Sequence, residues 1–454
     1  MKMVKSLLLG TAAGLVAMTG AQAADLPVKA KPVQYVKICS LYGAGFYYVP
    51  GTDTCLKVGG YVRLQTGYGY SGSFTNGPMR ASAASNFTRN SNDFNYRVRG
   101  YITADARTQT EYGTLRSYIA VGTLTDDAGG GTFNSNRAFV QLAGFTVGLA
   151  QSFYDFASMA AVSYNGGSIN NTGDTGDGGR VVWGYTAQFG NGFSATLAAQ
   201  ARATTAVSRG AAGAVTVLPT ANAAGTNYPD IVANVRLDQA WGSAQIMGAL
   251  HDASGDYYDA TLLTHPGNVM GYAVGAGLRL NAPMIGQGDY FQIQANYAKG
   301  ATGYVVNPTG YGWSEGARRG YGIVTDGVFG SIGGPTSVEL TTAYGVFGSF
   351  EHNWNRQWKT SLYGTYVKLE YNGTANLQLC GSVAAVNAGC NNDFSAWTVG
   401  SRTAWAPVAN LEIGVDILYQ RLNTASNGVV IGGLTTENRD AWLGHLRVQR
   451  NFYP

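Results

Sequence analysis

Residues 95–109 have the sequence NYRVRGYITADARTQ, in which apolar and polar side chains alternate along the chain. One face of this segment carries Tyr96, Val98 and Ile102. The opposite face carries polar and charged side chains, namely Asn95, Arg97, Arg99, Asp105, Arg107 and Gln109. Because successive side chains of a β-strand point to opposite sides, this period of two predicts a strand with one apolar side and one water-facing side.

The same alternation recurs to the end of the chain. The predicted strands cover residues 57–70, 95–109, 113–125, 134–143, 145–152, 180–190, 192–202, 229–239, 242–252, 268–281, 289–300, 340–354, 358–371, 395–406, 411–423 and 440–453. An even number of short alternating segments is typical of bacterial outer-membrane barrels. We therefore predict an all-β fold, a transmembrane antiparallel up-and-down β-barrel of about 16 strands.

The connections between these strands alternate between short and long. The long connections are residues 71–94, 126–133, 153–179, 203–228, 253–267, 301–339, 372–394 and 424–439. A barrel with short periplasmic turns and long extracellular loops produces this alternation, whereas a soluble β-sandwich has no reason to. The Ala/Thr/Gly-rich stretch 203–228 is expected to be a surface loop with little core.

Charged residues are scarce in this chain. Asp, Glu, Lys and Arg make up 12% of its residues, whereas a soluble domain carries about 25%. The net charge of +4 gives no dense basic patch and therefore no support for nucleic-acid binding. The four histidines and the cysteine spacing give no sign of a zinc site. A GxGxxG match at residues 67–72 enters a polar loop and not a helix, so we expect no nucleotide or other cofactor.

The N-terminus has the three parts of a secretory signal peptide. Lys2 and Lys5 are a positive region, residues 7–18 are apolar, and residues 21–23 (AQA) form a cleavage site. The apolar part is shorter than the roughly 20 residues needed to span a membrane, which argues against an anchor. We expect cleavage after Ala23, which lowers the net charge from +4 to +2 by removing the two lysines.

The expected domains are a signal peptide over 1–23, a periplasmic N-terminal segment over 24–56 and the barrel over 57–454. The four cysteines form two local pairs at opposite ends of the chain. Export to an oxidising compartment favours the disulfides Cys39–Cys55 and Cys380–Cys390, with free thiols and other pairings as the alternatives.

The parity of the strands also predicts which side chains face lipid. The expected lipid-facing residues are Val62, Leu64, Val98, Ile102, Ile119, Val121, Val140, Leu142, Val147 and Leu149. Trp354, Trp358 and Trp405 lie beside short turns, which is typical of an aromatic girdle at the inner membrane–water interface. The alternative is that they are ordinary core tryptophans.

The segment 36–63, VKICSLYGAGFYYVPGTDTCLKVGGYVR, closely resembles the start of the alphaproteobacterial porin family, which includes the porins of rhizobial and brucella-type bacteria. The signal peptide, the Cys39/Cys55 pair and the end RVQRNF at 447–452 agree with this resemblance. It implies a trimeric, 16-stranded general porin whose third long loop folds into the lumen. The expected partners are then outer-membrane lipid and lipopolysaccharide, ions and small hydrophilic solutes, with no nucleic acid.

The predicted function is passive diffusion of ions and small hydrophilic solutes through a water-filled channel in the cell outer membrane. The first alternative is a channel selective for a sugar or a small anion. A non-conducting structural or adhesin barrel is a further one. We do not expect an enzyme, because no Ser–His pair with an orienting residue and no nucleophile elbow is visible.

A pore constriction can also be predicted from parity. The inward parity of the first four strands collects basic residues, whereas the third long loop carries acidic ones. An acidic loop facing a basic wall would create a transverse field across the narrowest part of the pore. The alternative is that the arginines only brace the lumen. The expected constriction residues are Arg63, Arg97, Arg99, Arg116, Arg137, Asp155, Asp174 and Asp177.

Overall fold

A computed structural model describes residues 37–69, 87–126, 131–164, 175–203, 206–306 and 310–452. Sixteen antiparallel strands close into one barrel, which confirms the predicted fold. The strands are β1 (Cys55–Tyr68), β2 (Phe94–Thr110), β3 (Gly113–Asp126), β4 (Gly131–Leu142), β5 (Phe145–Ala150), β6 (Arg180–Gly190), β7 (Phe193–Gln200), β8 (Asp230–Gln239), β9 (Gly242–Asp252), β10 (Met270–Asn281), β11 (Tyr290–Lys299), β12 (Thr342–Asn353), β13 (Trp358–Glu370), β14 (Phe394–Trp405), β15 (Leu411–Asn423) and β16 (Arg439–Asn451).

The barrel closes where the first and last strands pair. β1 and β16 are antiparallel, with Tyr61 opposite Asn451 and Tyr68 opposite Gly444. Every other strand pairs with its neighbours in the chain, so the sheet has no free edge. A closed sheet is what a membrane requires, because hydrocarbon cannot satisfy unpaired backbone groups.

One β-bulge in β4 changes the side of the strand on which Phe133 lies. Arg137 pairs with Ala120, and Ser135 pairs with Val121, so Asn136 is an extra residue. An extra residue in one strand reverses the parity beyond it. Phe133 therefore lies on the outer face, where it is 72% exposed, while Arg137 lies on the inner face.

The outer face carries the apolar residues expected there. The side chains of Val62, Leu64, Val98, Ile102, Ile119 and Val140 are between 42% and 57% exposed. The remaining predicted lipid-facing residues are half-buried, namely Val121, Leu142, Val147 and Leu149. An apolar band on the outside of a closed barrel fits a surrounding of lipid.

Aromatic side chains border this band at both ends. Near the short turns, the rings of Trp358 and Trp405 stack with centroids 5.6 Å apart. Trp354 is 64% exposed, so these tryptophans belong to the surface and not to a core. Near the long loops, Tyr419 contacts Trp397 and Trp442 at 5.3 and 5.2 Å. Aromatic residues at these two levels match the girdles of membrane barrels.

Both predicted disulfides are present. Cys39–Cys55 ties the N-terminal segment to the start of β1, and Cys380–Cys390 lies within the loop between β13 and β14. That loop contains the helices Gly373–Cys380 and Val383–Asn387, whose first turns are capped by the side chains of Asn372 and Ser382. In the parts of the chain described above, no helix combines the length and hydropathy needed to cross a membrane.

The long loops are more ordered than their composition predicts. The expectation that 203–228 has little core is wrong, because Val207 and Ser208 are fully buried. The strand Val207–Arg209 of this loop pairs in parallel with Gly327–Phe329 of the loop between β11 and β12. Apolar residues of several loops also share one buried cluster at this end of the barrel. A partner distant in the sequence gives this loop a core that its own residues do not supply.

Candidate functional site

The candidate site is the interior of the barrel. Inward-facing positions of the strands carry polar and charged side chains, which is the arrangement expected of a water-filled lumen. One cavity of about 750 Å³ lies between the first half of the wall and the third long loop, and its lining includes Arg137, Gln141 and Asn234. Another of about 770 Å³ lies near the short turns, with Arg236, Arg279 and Gln292 in its lining. The interior therefore has room for water and small solutes.

Two of the predicted constriction residues face each other across neighbouring strands. Arg63 of β1 is directly opposite Arg99 of β2 in the strand register. The Arg63 Nε donates to Oε1 of Gln449 at 2.6 Å, and its guanidinium lies 4.5 Å from the centre of the Tyr61 ring. These contacts hold the Arg63 side chain in place without neutralising its charge.

Other wall arginines are paired with carboxylates. Arg97 forms a bidentate ion pair with Asp126 at the outer end of β3. Arg107 and Arg116 both bind Asp105, with nitrogen–oxygen distances of 2.8 and 3.0 Å. Two guanidiniums on one carboxylate leave this part of the wall with a net positive charge.

The third long loop lies against the inner wall. Its aromatic side chains occupy positions where the wall has glycine, because a Cβ would collide with the ring. A Cβ at Gly184 would lie 2.4 Å from the Phe153 ring, and one at Gly277 would lie 2.2 Å from the Phe156 ring. The wall glycines are therefore part of a packed contact between barrel and loop.

Ser163 and Tyr164 of the third loop are bound by side chains of β15. Asp416, which is fully buried, accepts hydrogen bonds from Ser163 Oγ at 2.7 Å and from the Tyr164 backbone N–H at 2.6 Å. The Tyr164 hydroxyl donates to Glu412 at 2.6 Å. Burial and the nearby Glu412 carboxylate raise the pKa of Tyr164 above its ordinary value, so this hydroxyl stays protonated and remains a donor.

Of the three acidic side chains predicted for the third loop, the structure describes that of Asp155. The carboxylate of Asp155 accepts hydrogen bonds from the backbone and side chain of Thr175, at 2.9 and 2.6 Å. Arg137 donates to the backbone carbonyl of Gly176 at 2.9 Å, which links the wall to the returning part of the loop. Asp174 and the side chain of Asp177 lie outside the described residues.

Sequence reasoning missed the residues that anchor the loop. The parity of β15 places Asp416 and Glu412 on the inner face, but their partners lie about 250 positions earlier in the chain. A second contact of this kind joins β12 to the start of β11, where Nδ1 of His352 lies 2.5 Å from a carboxylate oxygen of Asp289. Among the described residues, no group of three His, Cys, Asp or Glu side chains could hold a metal ion.

Comparisons with known proteins agree with this architecture. The family described as the porin subfamily matches residues 25–445. The chain is 36% identical to Porin Omp2b of Brucella suis over 222 residues, which covers 43% of this chain and 53% of that one. It is 37% identical to Porin Omp2a of Brucella melitensis over 233 residues, covering 43% and 55%. The chain thus spans about half the length of the curated relatives it matches.

A solved structure shares the fold at low sequence identity. The outer membrane channel DcaP of Acinetobacter baumannii superimposes with a TM-score of 0.59 over 89% of this chain and 99% of that chain, at 13% identity. The family match covers most of the chain, and the closed 16-stranded barrel agrees with it. The protein therefore belongs to the porin subfamily and resides in the outer membrane.

Proposed function

We propose that the protein forms a passive, water-filled channel through which ions and small hydrophilic solutes diffuse across the outer membrane. The observation that supports this most is the polar lumen, with cavities of about 770 and 750 Å³ on the turn side of the third loop. The porin family consists of non-enzymatic channel proteins, so the proposal includes no catalytic step.

The channel itself is tested by inserting purified protein into a planar lipid bilayer and recording current. Discrete conductance steps are expected. A folded protein that inserts without conductance would favour the non-conducting structural or adhesin barrel and would overturn the proposal. Block of the current by an added sugar or small anion would instead favour the substrate-selective channel, which the basic wall around Arg63 and Arg99 makes the second candidate.

We also propose that the constriction lies between the third loop and the arginines of the wall. The residues concerned are Arg63, Arg97, Arg99, Arg116 and Arg137, with Asp155, Asp174 and Asp177 of the loop. The charge of Arg63 is held by the neutral partners Gln449 and Tyr61, so it contributes to the field in the lumen. Asp155 and Arg137 add a second effect, because their hydrogen bonds to Thr175 and Gly176 fix the position of the loop.

The double variant Arg63→Ala/Arg99→Ala tests this constriction. Removing two positive charges from the lumen should shift ion selectivity towards cations, measured as the reversal potential under a salt gradient. The shift should be larger at low salt. The Debye length, about 10 Å at 0.1 M, increases on dilution, so the charges in the lumen are then screened less. Arg209→Ala is the matched control, since Arg209 lies in the fourth long loop and contacts the carbonyls of Tyr257 and Tyr258. Unchanged potentials in the double variant would contradict the assignment.

The assembly and maturation of the protein complete the proposal. We propose a homotrimer in the outer membrane, in contact with membrane lipid and lipopolysaccharide. Residues 1–23 are proposed to be a signal peptide removed after Ala23, and residues 24–56 to be a periplasmic segment. N-terminal sequencing of protein purified from outer membranes tests the cleavage site, and any first residue other than Ala24 would contradict it.

A further inference from the structure

The loop between β11 and β12 is the longest connection of the barrel, and the structure describes its residues 300–306 and 310–341. We propose that this loop, called here the mouth loop, forms a second restriction of the pore that limits solute size before the third loop is reached. The inference rests on the channel function proposed above. Four sets of contacts support it.

One flank of the mouth loop is fixed to the inner side of β7 and β8. The Tyr304 hydroxyl donates to Oδ2 of Asp230 at 2.7 Å and accepts from Nε2 of Gln200 at 2.8 Å. Gln200 and Asp230 are almost fully buried and lie on inward-facing positions at the outer ends of their strands. Burial raises the pKa of Tyr304 above its ordinary value, so the hydroxyl remains a donor to Asp230.

A buried histidine extends this attachment to β9. Nδ1 of His251 lies 2.8 Å from Asp230, and Nε2 lies 3.2 Å from Asp326 of the mouth loop. The other oxygen of Asp326 accepts hydrogen bonds from the backbone and side chain of Thr302, both at 2.7 Å. A buried carboxylate with this many partners is costly to displace, because removing one partner leaves a buried charge unsatisfied.

The other flank of the mouth loop reaches the last strand and the first loop. Its hairpin consists of Gly310–Glu315 and Arg318–Ile323. Glu315 binds Arg439 at the start of β16 at 2.8 Å, and the Ser314 carbonyl accepts from the backbone N–H of Phe87 at 2.7 Å. A Cβ at Gly322 would lie 2.4 Å from the ring of Phe394, so the hairpin packs closely over the inner face of β14.

These two flanks define how much of the mouth is covered. β8 and β16 are eight strands apart in a closed ring of 16, so they lie on opposite sides of the barrel. The mouth loop therefore spans the half of the mouth bounded by these strands. Solutes are directed to the remaining half, whose wall carries Arg63, Arg99 and Arg137.

The depth of the mouth loop places it directly above the third loop. The rings of Tyr304 and Tyr154, which belongs to the third loop, have centroids 4.7 Å apart. Tyr154, Tyr304 and Tyr311 share one buried cluster with inward-facing wall residues. A solute entering from outside must therefore pass the mouth loop before it reaches the third loop.

The first test replaces residues 311–322 with a short Gly/Ser linker in the full-length protein. The expected result is a roughly twofold rise in single-channel conductance, because a wider entrance lowers the resistance of the path. Liposome swelling with mono-, di-, tri- and tetrasaccharides should show faster entry of the larger sugars.

A second variant, Thr302→Ala/Asp326→Asn, weakens the attachment while leaving every strand intact. Its matched control is Thr261→Ala/Asp259→Asn, because Asp259 holds Thr261 in the same way on the exposed fifth loop. The attachment variant should admit larger sugars than the control. The inference is overturned if the linker variant, or the attachment variant where the former does not fold, excludes the same sugars as the wild type. Wild-type protein without conductance would instead overturn the channel proposal.

Discussion

At the scale of single residues, the face of the strand determines how much stability the barrel loses when a charged side chain is introduced. Val62 and Ile102 are 56% and 57% exposed on the outer face, whereas Thr103 is the next residue and points inwards. A charged side chain on the lipid face near mid-membrane costs about 2–4 kcal/mol, while the lumen tolerates it.

We therefore expect Val62→Arg and Ile102→Arg to lower the free energy of unfolding by about that amount each. Thr103→Arg, opposite Gly59 in the register, is the matched control and should cost much less. Refolding into lipid vesicles at increasing urea concentration measures the difference, with heat-dependent gel mobility as a check on folding. Equal losses for Ile102→Arg and Thr103→Arg would show that the assigned faces are wrong.

At the scale of elements, alternation predicts strands well because each strand contacts lipid on one side and water on the other. That constraint acts on neighbouring residues, so all sixteen strands can be predicted from short segments of the sequence. The wall arginines follow from the same parity. The loops do not, because Val207 depends on Gly327 and Tyr164 on Asp416, and no local pattern records such distant partners. The β-bulge at Asn136 shows the limit, since it places Phe133 on the outer face although Phe133 and the inward-facing Arg137 are an even number of positions apart.

The two disulfides should differ in their effect on the barrel. Cys39–Cys55 closes a loop with a separation of 16 residues at the start of β1. The chain-entropy estimate gives about 3 kcal/mol for such a loop, so Cys39→Ser/Cys55→Ser should lose about that much. Cys380→Ser/Cys390→Ser should cost the barrel much less, because this bridge lies within one outer loop. Denaturant titration in detergent, followed by tryptophan fluorescence, compares them, and equal losses would contradict the difference.

At the scale of the whole molecule, the outer surface of the barrel is where further copies of the protein could associate. Strands β5 to β8 carry an apolar groove of about 310 Å³ on the outer face, lined by Phe145, Trp183, Leu197 and Ile231 among others. Such a surface must be covered by lipid or by protein. The lumen is independent of it, since each barrel closes on itself.

If the protein is a homotrimer, conductance should appear in groups of three equal levels. A single insertion event should then close in three steps at high voltage, because each subunit has its own lumen. Bilayer recordings at low protein concentration measure this, and the mass of the unheated complex in detergent gives an independent count. Insertions that always close in one step would contradict three independent pores.

The pairing of β1 with β16 joins residues that are synthesised at opposite ends of translation. Tyr61 can pair with its neighbour Asn451, 390 positions later, only after the intervening chain has been made. Without this pairing the sheet has two open edges, and exposed strand edges promote aggregation. A chain interrupted anywhere before β16 cannot form the seam. Completion of the barrel therefore requires that β16 has been made, and products truncated before it should remain outside the membrane, where periplasmic proteases can remove them.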